Sequence, residues 1–577
     1  MSEYTLTIID TAGVQSYLFR TNNIRQNAGA SFLVDCATRS WIQEVLDDIT
    51  GSEHHNVKDL NAPSSNFFED RQITDDEISA EVIYAGGGNT AILFDSSELA
   101  RVFTQVLTKR VMLNAPGLKM SIQHKVIRWE SEALGGDDGV MKQAFELLGQ
   151  RKRSVLALPA TMGLSVSSEC VFTDLPANGY DRDGRAVSSE AKAKDDAEFD
   201  ERDPNRETAY KRLTSLINFG SYKPARQFKD LGATHGDSSF IAVVHADGNG
   251  IGRRIADIQK RYATAGENRA YIGAMRGFSD SLRGAAIEAL QETVNYLISK
   301  VLHTPAQSGQ KETYKIGDIE LARDYHDGTL LLPFRPIVFG GDDVTFVCDG
   351  RLGLELAAYY LDKFSSKVLD DDNHAHCRAG VAIVPEHYPF AHAYELAEML
   401  CKSAKGAIQE WVEEPRRQES GVTAMDWHFA VGGMISTLED VRKREFTSDS
   451  AIGCKKRSGD LLMRPVRLSD PDIDWQNWQS FQQVMREFKG DAWSDKRNKI
   501  MALREALRRG HEAVKVFLHN FNQGHPLPVI PRQRTMMTEG WQGQRCGYFD
   551  AIEALDFYMD LEKINAGESS TEQRVQV

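Results

Sequence analysis

Pro336 to Gly350 reads PIVFGGDDVTFVCDG, and the tetrapeptide GGDD within it occurs once more, in SEALGGDDGVMKQ, Ser131 to Gln143. The flanks separate the two copies. In the later one, Ile337-Val338-Phe339 runs into the glycines and Val344-Thr345-Phe346-Val347 runs out. Two short apolar, β-prone runs joined by a glycine turn read as a hairpin, which projects Asp342 and Asp343 from a tip held by strands. The early copy is flanked by Glu132-Ala133-Leu134 and Gly139-Val140-Met141. Nothing there is strand-like, so Asp137 and Asp138 belong to a loop and a helix start. The later copy decides the fold.

Working outward, the order strand, helix, hairpin, helix, strand occurs twice. YTLTIIDTA, a helical stretch, the hairpin AEVIYAGGGNTAILFD, a second helix and LKMSIQHKVI form the first round. SSFIAVVHADGNGIG, a long helix, the GGDD hairpin, GLELAAYYLDKFSSKVL and AHCRAGVAIVP form the second. Two related modules are the simplest reading. Between them, residues 176–208 are charged and poor in large apolar residues, the signature of a linker or mobile segment. From about Gly433 the chain reads as helical.

Composition bounds the function classes. A chain of 577 residues with 41% hydrophobic content holds about three or four domains. No apolar run reaches membrane-span length, and the N-terminus lacks a signal-peptide pattern. The seven cysteines are scattered without C-x-x-C pairs, which disfavours a disulfide framework or structural zinc and fits a cytoplasmic protein. A net charge of −15 excludes a generic nucleic-acid binder. Local basic patches remain, notably Arg442, Lys443, Arg444, Lys455, Lys456, Arg457, Arg464 and Arg467, read either as a solvated loop or as a surface for RNA or a protein partner.

Chemistry concentrates in the second module. Val243-Val244-His245-Ala246-Asp247 places a carboxylate at the end of a buried strand. Gly248-Asn249-Gly250-Ile251-Gly252 then turns into a helix, and its exposed N–H groups suit phosphates. The turn lacks G-x-G-x-x-G spacing, and Ile258 stands where an EF-hand needs glutamate. Asp247, Asp342 and Asp343 together suit one or two hard cations, Mg²⁺ or Mn²⁺, carrying a nucleoside triphosphate. Read alone, the turn is equally a plain tight turn with a solvated Asp247.

These pieces, ADGNGIG, FSDSL, FGGDDVTFV, AGVAIVP and AYELAEMLCKSAK, resemble the palm domain of class III nucleotidyl cyclases and diguanylate-cyclase-like enzymes. With GVQSYLFRTNNIRQNAGASFLV in the first module, the chain resembles most closely the polymerase/cyclase large subunit of type III CRISPR effector complexes. The resemblance implies an α+β fold: two ferredoxin-like, nucleotidyl cyclase-type palm domains and a helical C-terminal domain. The first palm would span 1–130 without catalytic carboxylates, a helical and linker region 131–235, the catalytic palm 236–435 and the helical domain 436–577.

Carried over residue by residue, the resemblance implies that Asp247, Asp342 and Asp343 are catalytic metal ligands. Gly340 and Gly341 would let a nucleotide approach the hairpin, alongside Gly248, Asn249 and Gly250. Lys405 would face the triphosphate unless it is merely solvated. Ser31 would contact an acceptor nucleotide unless it only packs its helix. The implied activity is joining or cyclising nucleoside triphosphates, with ATP favoured, into a signalling (oligo)nucleotide in antiviral defence. The alternative is an inactive nucleotide- or RNA-binding scaffold of a CRISPR-like complex. A homo-oligomer is compatible with either. Family members usually open with a His-Asp phosphohydrolase nuclease domain, whereas this chain begins at the first palm, which favours a shorter relative lacking it.

Overall fold

The computed structural model describes residues 2–62, 67–75, 77–154, 168–199, 203, 206–231, 239–306, 312–412, 421–430, 437–448, 459–468, 474–493, 496–521 and 525–565. The fold is mixed α and β, and two of its sheets repeat one topology. In the first, β1 (Glu3–Ala12), β2 (Ala80–Gly86), β3 (Asn89–Phe94) and β4 (Lys119–Arg128) lie in the order β2-β3-β1-β4. In the second, β5 (Phe240–Gly248), β6 (Phe334–Val338), β7 (Val344–Asp349) and β8 (Cys377–Pro385) lie in the order β6-β7-β5-β8. Each first strand ends at a glycine in the left-handed region that starts a helix: Gly13, φ 65°, before α1 (Val14–Leu18), and Gly250, φ 71°, before α6 (Ile251–Arg261). Only glycine takes such a φ without strain.

The helices cross between the repeats. α2 (Ile24–Thr38) packs on β6 of the second unit, and α7 (Asn268–Ile298) packs on β2 of the first. Each hairpin is therefore backed by the other unit's helix, and Ile8, Tyr84, Val244 and Phe346 share one continuous core. After β8, α9 (Phe390–Trp411) covers the sheet, and Ala424–Phe429 adds a parallel strand to which Val466–Arg467 pairs. The boundary expected at 436 therefore cuts through one sheet. The remainder holds the helices Trp478–Phe488, Arg497–Arg509 and His511–Phe521 and a small four-stranded sheet.

The linker expected at 176–208 is corrected over its described residues. They include a hairpin, Gly179–Tyr180 with Ala186–Val187, and helix α4 (Ser189–Glu198). α4 lies against α2, and its Lys194 ammonium is buried, donating to Glu190 Oε1 and the Tyr17 carbonyl at 2.6 Å each. The approach is so close that a methyl on Gly29 would lie 1.8 Å from the Lys194 carbonyl oxygen. Gly29→Ala is expected to destabilise the chain by about 1–3 kcal/mol despite alanine's better helix propensity, measured as a lower denaturation midpoint.

The basic segment is also corrected. Arg464 is buried on Asp550 at 2.9 Å, Arg442 pairs with Asp426 at 2.8 Å, and the Arg467 guanidinium lies 4.8 Å from the Trp411 ring centroid. Burying arginine requires such partners, and these charges are not a free surface. Lys443 and Arg444 are exposed, while Lys455, Lys456 and Arg457 lie outside the described residues. No helix among the described residues is long and apolar enough to cross a membrane.

Candidate active site

Register builds the site. Val344 pairs with Ala246 and Thr345 with His245, so Asp343, Thr345, His245 and Asp247 fall on one face at one end of the sheet. β8 brings Arg378 opposite Asp247. The Arg378 guanidinium donates to the Asp247 carboxylate, to the Gly248 carbonyl at 3.0 Å and to Asn249 Oδ1 at 2.7 Å. Asn249 also donates to the Val422 carbonyl at 2.7 Å and is buried, so its side chain secures the turn instead of facing a ligand. Asp342 packs on the strand backbone, where a methyl on Gly248 would lie 2.8 Å from Asp342 Cβ.

The carboxylates repel one another. Burial, then Asp247 and Asp343, push Asp342 up to about 7. Burial also raises Asp247, against the opposing pull of Arg378. Asp343 Oδ1 is buried without a hydrogen-bond partner among the described residues, 3.3 Å from His245 Nδ1. Burial lowers His245, but Asp343, Asp247 and Glu398 outweigh it and the net shift is upward. Crowded carboxylates of this kind suit a hard divalent cation, which replaces their protons. As the side chains stand, no three His, Cys, Asp or Glu among the described residues form a ready cation cage. Arg378 supplies the positive charge beside Asp247.

Lys405 is exposed on α9, close enough for its charge to favour ionised Asp247. Ser31 is half-buried on α2 and lines a pocket with Gly340, so it belongs to the space beside the hairpin. The two hairpin tips meet: a methyl on Gly341 would lie 3.8 Å from the Gly87 Cα. The early GGDD copy stands apart. Asp137 and Asp138 are exposed in a turn before the helix Val140–Ser154, with their backbone carbonyls bonded to Lys142 and Gln143.

Three residues escaped sequence reasoning. His245, two before Asp247, was legible from strand alternation. Arg378 was not, because its partner is set by register. Asp10 repeats Asp247: each stands three residues before the helix-starting glycine, and Asp10 pairs with Asn89 at the first hairpin. The Asp-x-x-Gly spacing in IIDTAG and HADGNG could have shown it. Its carboxylate is held by Lys152.

No protein-family model matches the chain, and no curated protein matches it in sequence. Solved structures match nearly all of it. An apo Csm1–Csm4 cassette superposes with a TM-score of 0.50 at 12% identity, over 98% of this chain and 70% of that one. A Csm1–Csm4 cassette in complex with pppApApA gives a TM-score of 0.50 at 11% identity, over 98% and 69%. The chain has the Csm1 fold. Csm1 belongs to type III CRISPR, the system whose large subunit the sequence resembles.

Proposed function

We propose that the chain is a nucleotidyltransferase that joins or cyclises nucleoside triphosphates, using the two repeated units as palm domains. The observation that carries this is the meeting of the hairpin tips at Gly341 and Gly87, with Asp247, Asp342 and Asp343 on one side only. Two nucleotides held at such tips would face each other. The 3′-hydroxyl of the acceptor attacks the α-phosphorus of the donor, the bond to pyrophosphate breaks, and the hydroxyl proton leaves to solvent or a neighbouring carboxylate. Orientation of this kind is worth several kcal/mol.

Asp247, Asp342 and Asp343 would hold Mg²⁺ or Mn²⁺, which supplies charge neutralisation at the attacking and leaving oxygens. Gly340 and Gly341 leave the hairpin backbone open to the nucleotide, Gly248 and Gly250 carry the turn beside the triphosphate, and Lys405 adds a positive charge. The first hairpin, with Asn89 in place of the carboxylate, would take the acceptor without metal. The likeness to a cassette complexed with pppApApA supports an adenine nucleotide donor and a Csm4-like protein partner. Antiviral signalling in the cytoplasm follows from the same resemblance. The ion pair of Arg378 with Asp247 is the observation on the side of an inactive scaffold.

Incubating the purified chain with each NTP and Mg²⁺ or Mn²⁺, with mass spectrometry of the products, tests the proposal. Oligonucleotide and pyrophosphate are expected. Intact triphosphate under every condition, with nucleotide still bound, would favour the scaffold.

A further inference from the structure

A separate cleft of about 570 Å³ opens at the N-terminal end of α2. Asn23, Arg25 and Gln26 of that helix line it, together with the hairpin 179–187, residues 226–230 and residues 323–326 of the segment that leads to β6. At its other end α2 reaches the first hairpin, where Thr90 Oγ1 donates to the Thr38 carbonyl at 2.7 Å. The 15 residues of α2 span about 22 Å. The cleft is therefore not part of the carboxylate site.

Its acids are already engaged. Five aspartates line the cleft, and each has donors from the protein itself. Asp181 takes Arg185 Nε at 2.7 Å and two backbone N–H groups, and Asp183 takes Arg185 Nη2 at 2.6 Å. Arg25 reaches Asp195 at 3.2 Å. Asp230 accepts the backbone N–H groups of Arg226 and Gln227, and Asp324 accepts Lys223 Nζ and the His326 N–H. Two of the cations are not engaged. Arg226 and Lys229 line the cleft, and among the described residues neither side chain makes a hydrogen bond or ion pair. Arg226 is half-buried, its guanidinium 4.6 Å from the Phe199 ring centroid and 5.8 Å from that of Tyr210 on α5 (Ala209–Leu216). Rings hold a guanidinium by its face and leave its N–H edge to a ligand. Lys229 is exposed three residues on.

With the aspartates satisfied internally, the unspent charge of the cleft is positive. The first turn of α2 adds the positive partial charge of a helix N-terminus. Donors that enter from separate segments suit a tetrahedral oxyanion, which accepts in several directions, better than a carboxylate, which accepts in one plane. A cleft of this size takes a small molecule. We infer that it is a second anion site, built for a small phosphate-bearing ligand: a pyrophosphate group, free or carried by a nucleotide. Tyr325, 98% exposed among the lining residues, gives a nucleotide a ring face to stack on.

Calorimetric titration of inorganic pyrophosphate and of ADP into the full chain tests this, in chelator so that no cation bridges a phosphate to Asp247, Asp342 and Asp343. One saturable site per chain is expected. Arg226→Gln combined with Lys229→Gln should weaken it at least about tenfold, and Lys229→Gln alone, at an exposed side chain that leaves the fold intact, about threefold. Asp342→Ala with Asp343→Ala should leave it within about twofold. ADP bound more tightly than pyrophosphate, with the difference lost in Tyr325→Ala, identifies the ligand as a nucleotide, and equal affinities identify it as the phosphate group alone. No saturable binding, or binding indifferent to both the Arg226 and Lys229 changes, would overturn the site. A single-stranded oligoribonucleotide bound far more tightly than ADP through the same two residues would also overturn it, putting a nucleic acid in place of the small ligand.

Discussion

Replacing Asp342 and Asp343 together with alanine abolishes product formation, by at least about a thousandfold, because metal-borne charge stabilisation is worth several kcal/mol. The fold survives. The hairpin is held by β6 and β7, whose register runs from Phe334 with Cys348 to Val338 with Thr345, and not by its tip carboxylates. Removing them relieves repulsion, so the metal-free melting temperature is expected to hold or rise. Asp137→Ala with Asp138→Ala leaves activity unchanged, since both side chains are solvated in a turn. Turnover measured alongside thermal denaturation for the two double variants checks this. An essential early pair with a dispensable late pair would reverse the assignment of the two GGDD copies.

The second large effect is metal dependence, with a defined pH signature. Chelating divalent cations should stop turnover, and Mg²⁺ or Mn²⁺ should restore it, because the candidate ligands are carboxylates and the six described cysteines are buried, unpaired residues. Asp342, raised to about 7, binds a proton that the cation must displace. Apparent cation affinity should therefore fall as pH drops below about 7, by up to about tenfold per unit. The metal-free fold behaves in the complementary way. With a folded pKa above the unfolded one, Asp342 holds more proton in the native state, so metal-free stability declines as pH rises from the ordinary carboxylate range to about 7. Calorimetric titration of Mn²⁺ across pH 6 to 8 reads the first effect, and melting in chelator from about pH 4 to 7 reads the second. Stoichiometric zinc, lost together with activity, would count against the carboxylate assignment.

Much of this was legible in the chain because the decisive signals are local. Apolar β-prone runs around Gly340-Gly341 specify a hairpin, and the same order of elements around Gly86 to Asn89 exposes the repeat. The misreadings involve buried charges whose pairing a linear reading does not show. Helix α4 shows few apolar residues, because part of its buried face is made of Lys194 paired with Glu190 and of Glu198 paired with Arg335. Composition alone reads such a segment as solvated. Arg442, Arg464 and Arg467 looked like a basic surface for the same reason. At the site, Asp247, Asp342 and Asp343 could be picked from their strand ends, but the grip of Arg378 on Asp247 depends on the pairing of β5 with β8. The same grip also engages the side chain of Asn249.

The account's central claim is that the later hairpin carries the metal–triphosphate and the earlier one does not. A crystal structure of the full chain with a non-hydrolysable triphosphate and Mn²⁺, located by its anomalous signal, tests it most directly. The account predicts Mn²⁺ at Asp247 and the Asp342–Asp343 tip, with Arg378 displaced from Asp247, and no metal at Asn89. Metal and triphosphate at Gly86 to Asn89, with the Asp342–Asp343 tip empty, would contradict it.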